Sequence, residues 1–119
     1  MDNFNGNVVY LQKEDFSSDG TLITPHDKPV VVMIMAGWCG FCKKAKPEFQ
    51  KFADLKNGKD VYVAVIKTDG ETESEKELGK MVNKICPNFR GFPTIIKIEK
   101  GKYTKTYEGP RTAEGLSNF

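Results

Sequence analysis

One apolar run constrains the fold of this chain more than any other feature of its sequence. Residues 29–36 are almost all apolar and rich in Val, and a proline opens the run. The run is far shorter than the ~20 residues that a membrane-spanning helix needs. A run of this length fits a β-strand that is buried on both faces, which requires helices on both sides of its sheet.

Strand-like and helix-like patterns alternate along the rest of the chain. Runs rich in β-branched residues predict strands, and apolar residues at steps of three and four predict helices. The predicted strands are residues 8–11, 29–36, 61–66, 94–98 and 103–107, and the predicted helical segments are 15–18, 39–57, 72–85 and one beginning at 112. The third strand ends at Asp69–Gly70, and the last two flank a Lys100–Gly101 hairpin turn. This order predicts an α/β fold with a mixed sheet of four to five strands and helices on both faces, in a single domain over residues 1–119.

Composition excludes several classes of function. The chain has 119 residues, of which 29% are charged, and its formal net charge is only +2. That balance disfavours a nucleic-acid or anionic-membrane partner. The N-terminus lacks a basic stretch followed by an apolar one, and the C-terminus carries no retention or prenylation signal. We therefore expect a cytoplasmic protein, and we expect it to be a monomer.

The three cysteines carry the most chemical information. Their odd number argues against the disulfide framework of a secreted protein. Cys39 and Cys42 form a Cys-x-x-Cys motif, whereas Cys86 stands alone. His26, in a turn predicted over residues 24–27, is the only histidine, so the ligands of a tetrahedral zinc site are missing and we expect no metal. Cys86 is either a small buried hydrophobe, which is the simplest interpretation, or a regulatory or dimer-forming thiol.

The Cys-x-x-Cys motif comes directly after the buried strand and opens a helix. Cys39 falls at the N-cap position and Cys42 about one turn later, separated by Gly40 and Phe41, so the two sulfur atoms can meet. The free amide groups of the helix start favour a thiolate on an exposed Cys39, which would attack a substrate disulfide. The deeper Cys42 would then resolve the mixed disulfide. Half of a zinc site and an unreactive pair of core thiols remain as alternatives.

Four motifs together resemble the thioredoxin-fold proteins and are most similar to the catalytic domains of protein disulfide isomerases. They cover nearly the whole chain, and in order they are WCGFCKK (38–44), PEF (47–49), GFPT (91–94) and YEGPRT (107–112). The resemblance implies a thiol–disulfide oxidoreductase that acts on protein thiols and disulfides together with a redox partner. It implies no cofactor other than the Cys39–Cys42 disulfide. The alternative from another class is a binding module of the same fold whose cysteines are incidental.

The resemblance also implies roles for residues around the cysteines. It implies a cis Phe92–Pro93 bond packed against them, although the residues alone favour a trans proline at the start of a strand. The backbone from Gly91 to Pro93 would then pair with an extended substrate. Trp38 would shield the cysteines, and with the exposed Phe41 it would offer an apolar docking surface.

Three positions depart from the family's pattern. Thioredoxin-fold enzymes carry a buried carboxylate six residues before the first cysteine and a partner lysine in the next strand, where this chain has Met33 and Val65. The joint loss avoids a lone buried charge, but it leaves open which group accepts the proton of Cys42. Arg111, in the loop after the last strand, is the candidate that would ease ionisation of Cys42, against the alternative of a simple solvated arginine. Phe41 stands where isomerases have His, so we expect a more reducing disulfide, nearer to that of thioredoxin.

Overall fold

A five-stranded mixed sheet organises the computed structural model, which describes residues 4–24 and 27–119. The strands are β1 (Val9–Tyr10), β2 (Val30–Met35), β3 (Tyr62–Lys67), β4 (Thr94–Glu99) and β5 (Lys102–Thr106). Their order across the sheet is β1-β3-β2-β4-β5, with β1, β3 and β2 parallel and with β4 and β5 antiparallel to their neighbours. The predicted α/β class is confirmed, and the apolar run forms the central strand.

Helices cover both faces of this sheet. They are a 3-10 helix at Lys13–Asp15, α1 (Gly40–Lys56), α2 (Glu73–Lys80), α3 (Val82–Ile85) and α4 (Ala113–Ser117). The residues of α1 and α4 pack in one core cluster, and those of α2 and α3 pack in a second cluster on the other face. No helix within the described residues is long and apolar enough to cross a bilayer.

The side-chain alternation of β2 explains why the core has two halves. Residues 31, 33 and 35 belong to the cluster of α1 and α4, whereas residues 30, 32 and 34 belong to the cluster of α2 and α3. All six side chains are buried. Both faces of β2 are therefore covered, as its continuous apolar sequence requires.

Every predicted strand boundary lies within one residue of the observed one. The prediction of one continuous helix over 72–85 is wrong, because α2 ends at Lys80 and α3 begins at Val82. The Met81 N–H donates a hydrogen bond to the Leu78 carbonyl, three residues earlier. This tighter turn interrupts the series of α-helical hydrogen bonds between residues four apart. The helical turn predicted at 15–18 lies earlier, because Gln12 and Asp15 cap a 3-10 helix reciprocally. The turn predicted around His26 falls partly outside the described residues.

Strand pairing brings three separate chain segments to one end of the sheet. Ile34 pairs with Thr94 in antiparallel β4, so the segment 91–93 lies beside the residues that follow β2. Met35 pairs with Lys67 in parallel β3, so β3 ends at this same edge. Segments 36–39, 68–70 and 91–93 therefore meet where α1 begins.

Substitution of two phenylalanines of α1 tests which face of this helix packs against the core. Phe49→Ala should lower the free energy of unfolding by about 3–5 kcal/mol, because Phe49 is fully buried between the rings of Phe4 and Phe52. Phe41→Ala is the matched control, and it should change that free energy by less than about 0.5 kcal/mol because Phe41 is exposed. Urea unfolding followed by far-ultraviolet circular dichroism measures both, and equal losses would contradict this docking.

Candidate active site

The thiols of Cys39 and Cys42 lie close together at the N-terminus of α1. Cys39 is the N-cap residue, and its Sγ accepts a hydrogen bond from the Cys42 backbone N–H at 3.2 Å. The Cys39 carbonyl accepts the next amide, that of Lys43, at 3.1 Å. Cys39 therefore satisfies two amide groups of the first helical turn, one with its side chain and one with its backbone.

The prediction that Cys39 is exposed is wrong. Only 5% of Cys39 is accessible to solvent, and Cys42 is fully buried. The capping geometry explains the difference, because the Cys39 side chain turns back over the first helical turn to reach the Cys42 amide. Cys39 still lies nearer the surface than Cys42, which is the order of depth that the spacing predicts.

The surroundings of Cys42 are apolar. Met33 and Val65 pair across β2 and β3, both are fully buried, and both belong to the core cluster that contains Cys42. Within residues 4–24 and 27–119 no charged side chain is buried. Burial, followed by the hydrogen bond with Cys39, raises the pKa of Cys42 well above the ordinary value of a thiol.

Arg111 acts on Cys42 in the opposite direction. It is exposed and lies in the loop between β5 and α4. A backbone hydrogen bond at Ala36 lowers the pKa of Cys42, and the positive charge of Arg111 lowers it by a smaller amount; neither cancels the effect of burial. Glu48 of α1 accepts the Ala113 N–H at 2.8 Å and so ties the start of α4, next to Arg111, to the helix that carries the cysteines.

Two exposed aromatic side chains flank the cysteines. Trp38 is 70% exposed and Phe41 is 64% exposed. The Trp38 ring meets Phe92 edge to face with centroids 5.5 Å apart, and Phe92 meets Phe89 in the same manner at 5.3 Å. The Lys44 ammonium lies 5.8 Å from the centroid of the Phe41 ring. Trp38 and Phe92 are therefore in contact next to Cys39, and the exposed Phe41 adds apolar surface next to Cys42; these three side chains are called the aromatic face below.

The segment before β4 completes this face. The Phe92–Pro93 peptide bond is cis, and Pro93 is buried. Gly91 has a φ of +153°, a conformation that side-chain-bearing residues rarely adopt, and its carbonyl accepts the Thr94 hydroxyl. Gly40, the first residue of α1, is exposed and faces open space.

Sequence reasoning missed the contact that holds the loop between β2 and α1. Asp69, interpreted as part of a turn after the third strand, accepts the Gly37 N–H with both carboxylate oxygens at 2.8 and 2.9 Å. The two residues are 32 positions apart, so no local pattern links them. An Asp-Gly pair directly after a predicted strand was the only available signal, and it is equally typical of a simple turn.

Cys86 lies apart from the other two cysteines. It is buried in the core cluster on the opposite face of the sheet, and burial raises the pKa of its thiol. This placement agrees with the interpretation of Cys86 as a small buried hydrophobe. Among the residues that the structure describes, no group of three or more His, Cys, Asp or Glu side chains could hold a metal ion.

Comparisons with known proteins agree with this architecture. The family model described as Thioredoxin matches residues 7–119. A protein of Invertebrate iridescent virus 6, named as thioredoxin-like protein 453L, is 40% identical over 94% of this chain and 91% of its own length. Protein disulfide-isomerase of Ricinus communis is 38% identical over 94% of this chain. The solution structure of the first thioredoxin domain of mouse Protein disulfide-isomerase A4 has a TM-score of 0.65 at 27% identity, over 96% of this chain and 73% of that one.

The share of each relative that this chain covers limits how much of that relative's function the match can support. The chain spans 21% of the Ricinus enzyme, so it corresponds to one part of that protein. The thioredoxin fold and the resemblance to isomerase domains are confirmed. Relatives of this kind support thiol–disulfide oxidoreductase chemistry in general terms.

The effect of Arg111 on Cys42 can be measured through the attack of Cys42 on a mixed disulfide of Cys39. A small aromatic disulfide reagent forms a mixed disulfide with Cys39, and Cys42 then displaces the second aryl thiolate from within the protein. Arg111→Ala should slow this second step near neutral pH, because a nearby cation favours the Cys42 thiolate. Added salt should shrink the difference, since Arg111 is exposed. Stopped-flow absorbance of the released aryl thiolate measures the rate. Arg90→Ala is the matched control, and slowing of the same size there would remove Arg111 from any specific role.

Proposed function

Because the chain belongs to the thioredoxin family, we propose that it is a thiol–disulfide oxidoreductase that exchanges disulfides with protein substrates. Cys39 is the nucleophile and Cys42 is the resolving thiol. One observation carries the assignment: the Cys39 Sγ caps a 17-residue helix and accepts a backbone N–H there, with Cys42 fully buried behind it.

The first step uses the capping contact. An N–H that points at sulfur, together with the positive end of the helix dipole, interacts more strongly with a thiolate than with a thiol. The Cys39 thiolate attacks one sulfur of a substrate disulfide, so that a Cys39–substrate bond forms and the substrate disulfide breaks. The departing substrate sulfur leaves as a thiolate and takes a proton from solvent.

The second step uses Cys42. Its thiol loses a proton and attacks the Cys39 Sγ, which forms the Cys39–Cys42 disulfide and releases the second substrate thiol. Two electrons have then passed from the protein to the substrate. Loss of the Cys42 proton is the difficult part, because burial in apolar surroundings opposes the charged form and Met33 supplies no carboxylate. We assign Arg111 the role of lowering this barrier, since its charge favours the Cys42 thiolate.

Phe41, the residue before Cys42, bears on the reduction potential of the disulfide. An imidazolium at position 41 would stabilise the Cys39 thiolate and make the disulfide more oxidising, whereas the Phe41 ring carries no charge. We therefore propose that the Cys39–Cys42 disulfide is more reducing than that of an isomerase domain. A separate redox partner would return the Cys39–Cys42 disulfide to two thiols after each cycle.

Substrates would dock on the aromatic face. Trp38 and Phe41, which precede and follow Cys39 in the sequence, expose large apolar surfaces. An extended, partly unfolded segment that carries a disulfide fits this arrangement, with its backbone running along residues 91–93. Because only 5% of Cys39 is accessible, we expect a substrate disulfide that reaches it to contact the neighbouring Trp38 and Phe41 as well.

Serine variants separate the roles of the two active thiols. Cys42→Ser should accumulate a covalent mixed disulfide with a reducible substrate such as insulin, because the resolving step is lost. Cys39→Ser should form no such adduct and should reduce insulin at least about 10³-fold more slowly, since the buried Cys42 has no accessible path of attack. Non-reducing electrophoresis and insulin turbidity measure the two effects.

Cys86→Ser is the control for this pair of variants and should behave as the parent in both assays, because Cys86 lies on the other face of the sheet. Adducts on Cys39→Ser but not on Cys42→Ser would reverse the roles. Non-covalent binding of substrate by both serine variants, without any reduction by the parent protein, would favour the binding module with incidental cysteines.

A further inference from the structure

We propose that Asp69 is a positioning residue for disulfide exchange, because its carboxylate holds the loop that presents Trp38 and Cys39. Both carboxylate oxygens accept the Gly37 N–H, at 2.8 and 2.9 Å. Gly37 lies two residues before the nucleophile assigned above, and the inference rests on that proposed function. Asp69 follows β3, so the contact joins the loop to the rigid sheet rather than to another loop of the surface.

The neighbouring residue strengthens this connection. Both the N–H and the hydroxyl of Thr68 donate to the Met35 carbonyl, at 2.9 and 3.0 Å. Thr68 and Asp69 therefore hold two points of the loop, the carbonyl where β2 ends and the amide where the chain turns toward α1. The loop closes on itself through the Cys39 N–H, which donates to the Ala36 carbonyl at 3.1 Å.

Glycine at position 37 makes the close approach possible. A Cβ added there would lie 3.2 Å from Oδ2 of Asp69, which is tighter than an ordinary contact. A methyl group at 37 would require the exposed Asp69 carboxylate to move by a few tenths of an ångström relative to the amide that it binds. Gly37 and Asp69 therefore act as one unit, whose effect on Cys39 passes through the backbone of Trp38.

Two possible roles for Asp69 predict opposite effects of removing its carboxylate on the reaction rate of Cys39. If the carboxylate positions the loop, its removal lets the Cys39 cap shift, and the reaction of Cys39 slows. If the carboxylate acted mainly through its charge, its removal would relieve repulsion of the Cys39 thiolate, and the reaction would speed up. Asp69→Asn separates the two roles, because the amide keeps an acceptor oxygen of similar reach and loses the charge.

The test measures the reaction of the reduced protein with dithiobis(nitrobenzoic acid), whose aryl thiolate is released as the Cys39 mixed disulfide forms. Asp69→Ala should slow the fast phase by about tenfold, since displacement of a reacting group by about 1 Å costs up to about 10²-fold. Asp69→Asn should stay within about twofold of the parent, because its hydrogen bond remains. The fluorescence of Trp38, the only tryptophan of the chain, should change in Asp69→Ala and keep the parental spectrum in Asp69→Asn.

Asp19→Ala is the matched control. The Asp19 carboxylate also accepts a backbone N–H, that of Thr21 at 3.1 Å, and it lies beside the β4–β5 turn at the opposite end of the sheet. Its loss should leave the rate of the fast phase unchanged. If Asp69→Ala does not fold, Gly37→Ala must slow the fast phase and change the Trp38 spectrum in the same direction, by a smaller amount.

The outcomes separate the inference from the function on which it rests. An unchanged rate in Asp69→Ala, a faster rate in both Asp69 variants, or an equal loss in Asp69→Asn would overturn the positioning role. A parent protein that lacks a fast phase assigned to Cys39 would instead refute the proposed function. A slower fast phase in Asp69→Ala, together with a near-parental rate in Asp69→Asn, supports both the positioning role of Asp69 and the proposed function.

Discussion

Burial of β2 on both faces is the constraint on which the rest of this structure depends. A strand with apolar side chains on both sides must lie at the centre of a sheet whose two faces are both covered by helices. The chain meets that requirement by leading β2 directly into α1 on one face and by placing α2 and α3 on the other. The short connection between β2 and α1 carries Cys39, so the same constraint that forms the core also fixes the thiol at a helix N-terminus.

The chemistry of the site reflects a compromise between stability and proton transfer. A carboxylate buried behind Cys42 could accept its proton, but an unpaired buried charge would cost several kcal/mol. This chain has Met33 and Val65 there instead, both packed in the core with Cys42. The consequence is a thiol whose pKa is raised by burial and is lowered only in part, by a backbone hydrogen bond at Ala36 and by the surface cation Arg111. The core gains apolar packing, and ionisation of Cys42 depends on groups at the edge of that core.

The sequence predicted the strands closely, because periodicity and turn residues act locally. Lys100 and Gly101 form the hairpin turn that was predicted between the last two strands, and both adopt positive φ there. The N-cap position of Cys39 was predictable for the same reason. The low exposure of Cys39 was not, since it depends on where the side chain turns once the helix has formed. The contacts of Asp69 with Gly37 and of Glu48 with Ala113 join residues far apart in sequence, so only the folded chain reveals them.

The central claim is that Cys39 and Cys42 form one redox-active pair. Equilibration of the protein in glutathione buffers, followed by acid quenching, alkylation and mass spectrometry, tests it most directly. We predict that Cys39 and Cys42 lose their thiols together in a single two-electron transition, while the buried Cys86 stays reduced. The midpoint should lie nearer to the about −270 mV of thioredoxin than to the about −180 mV of protein disulfide isomerase. Separate glutathione adducts on single cysteines, with no Cys39–Cys42 disulfide at any potential, would contradict the account.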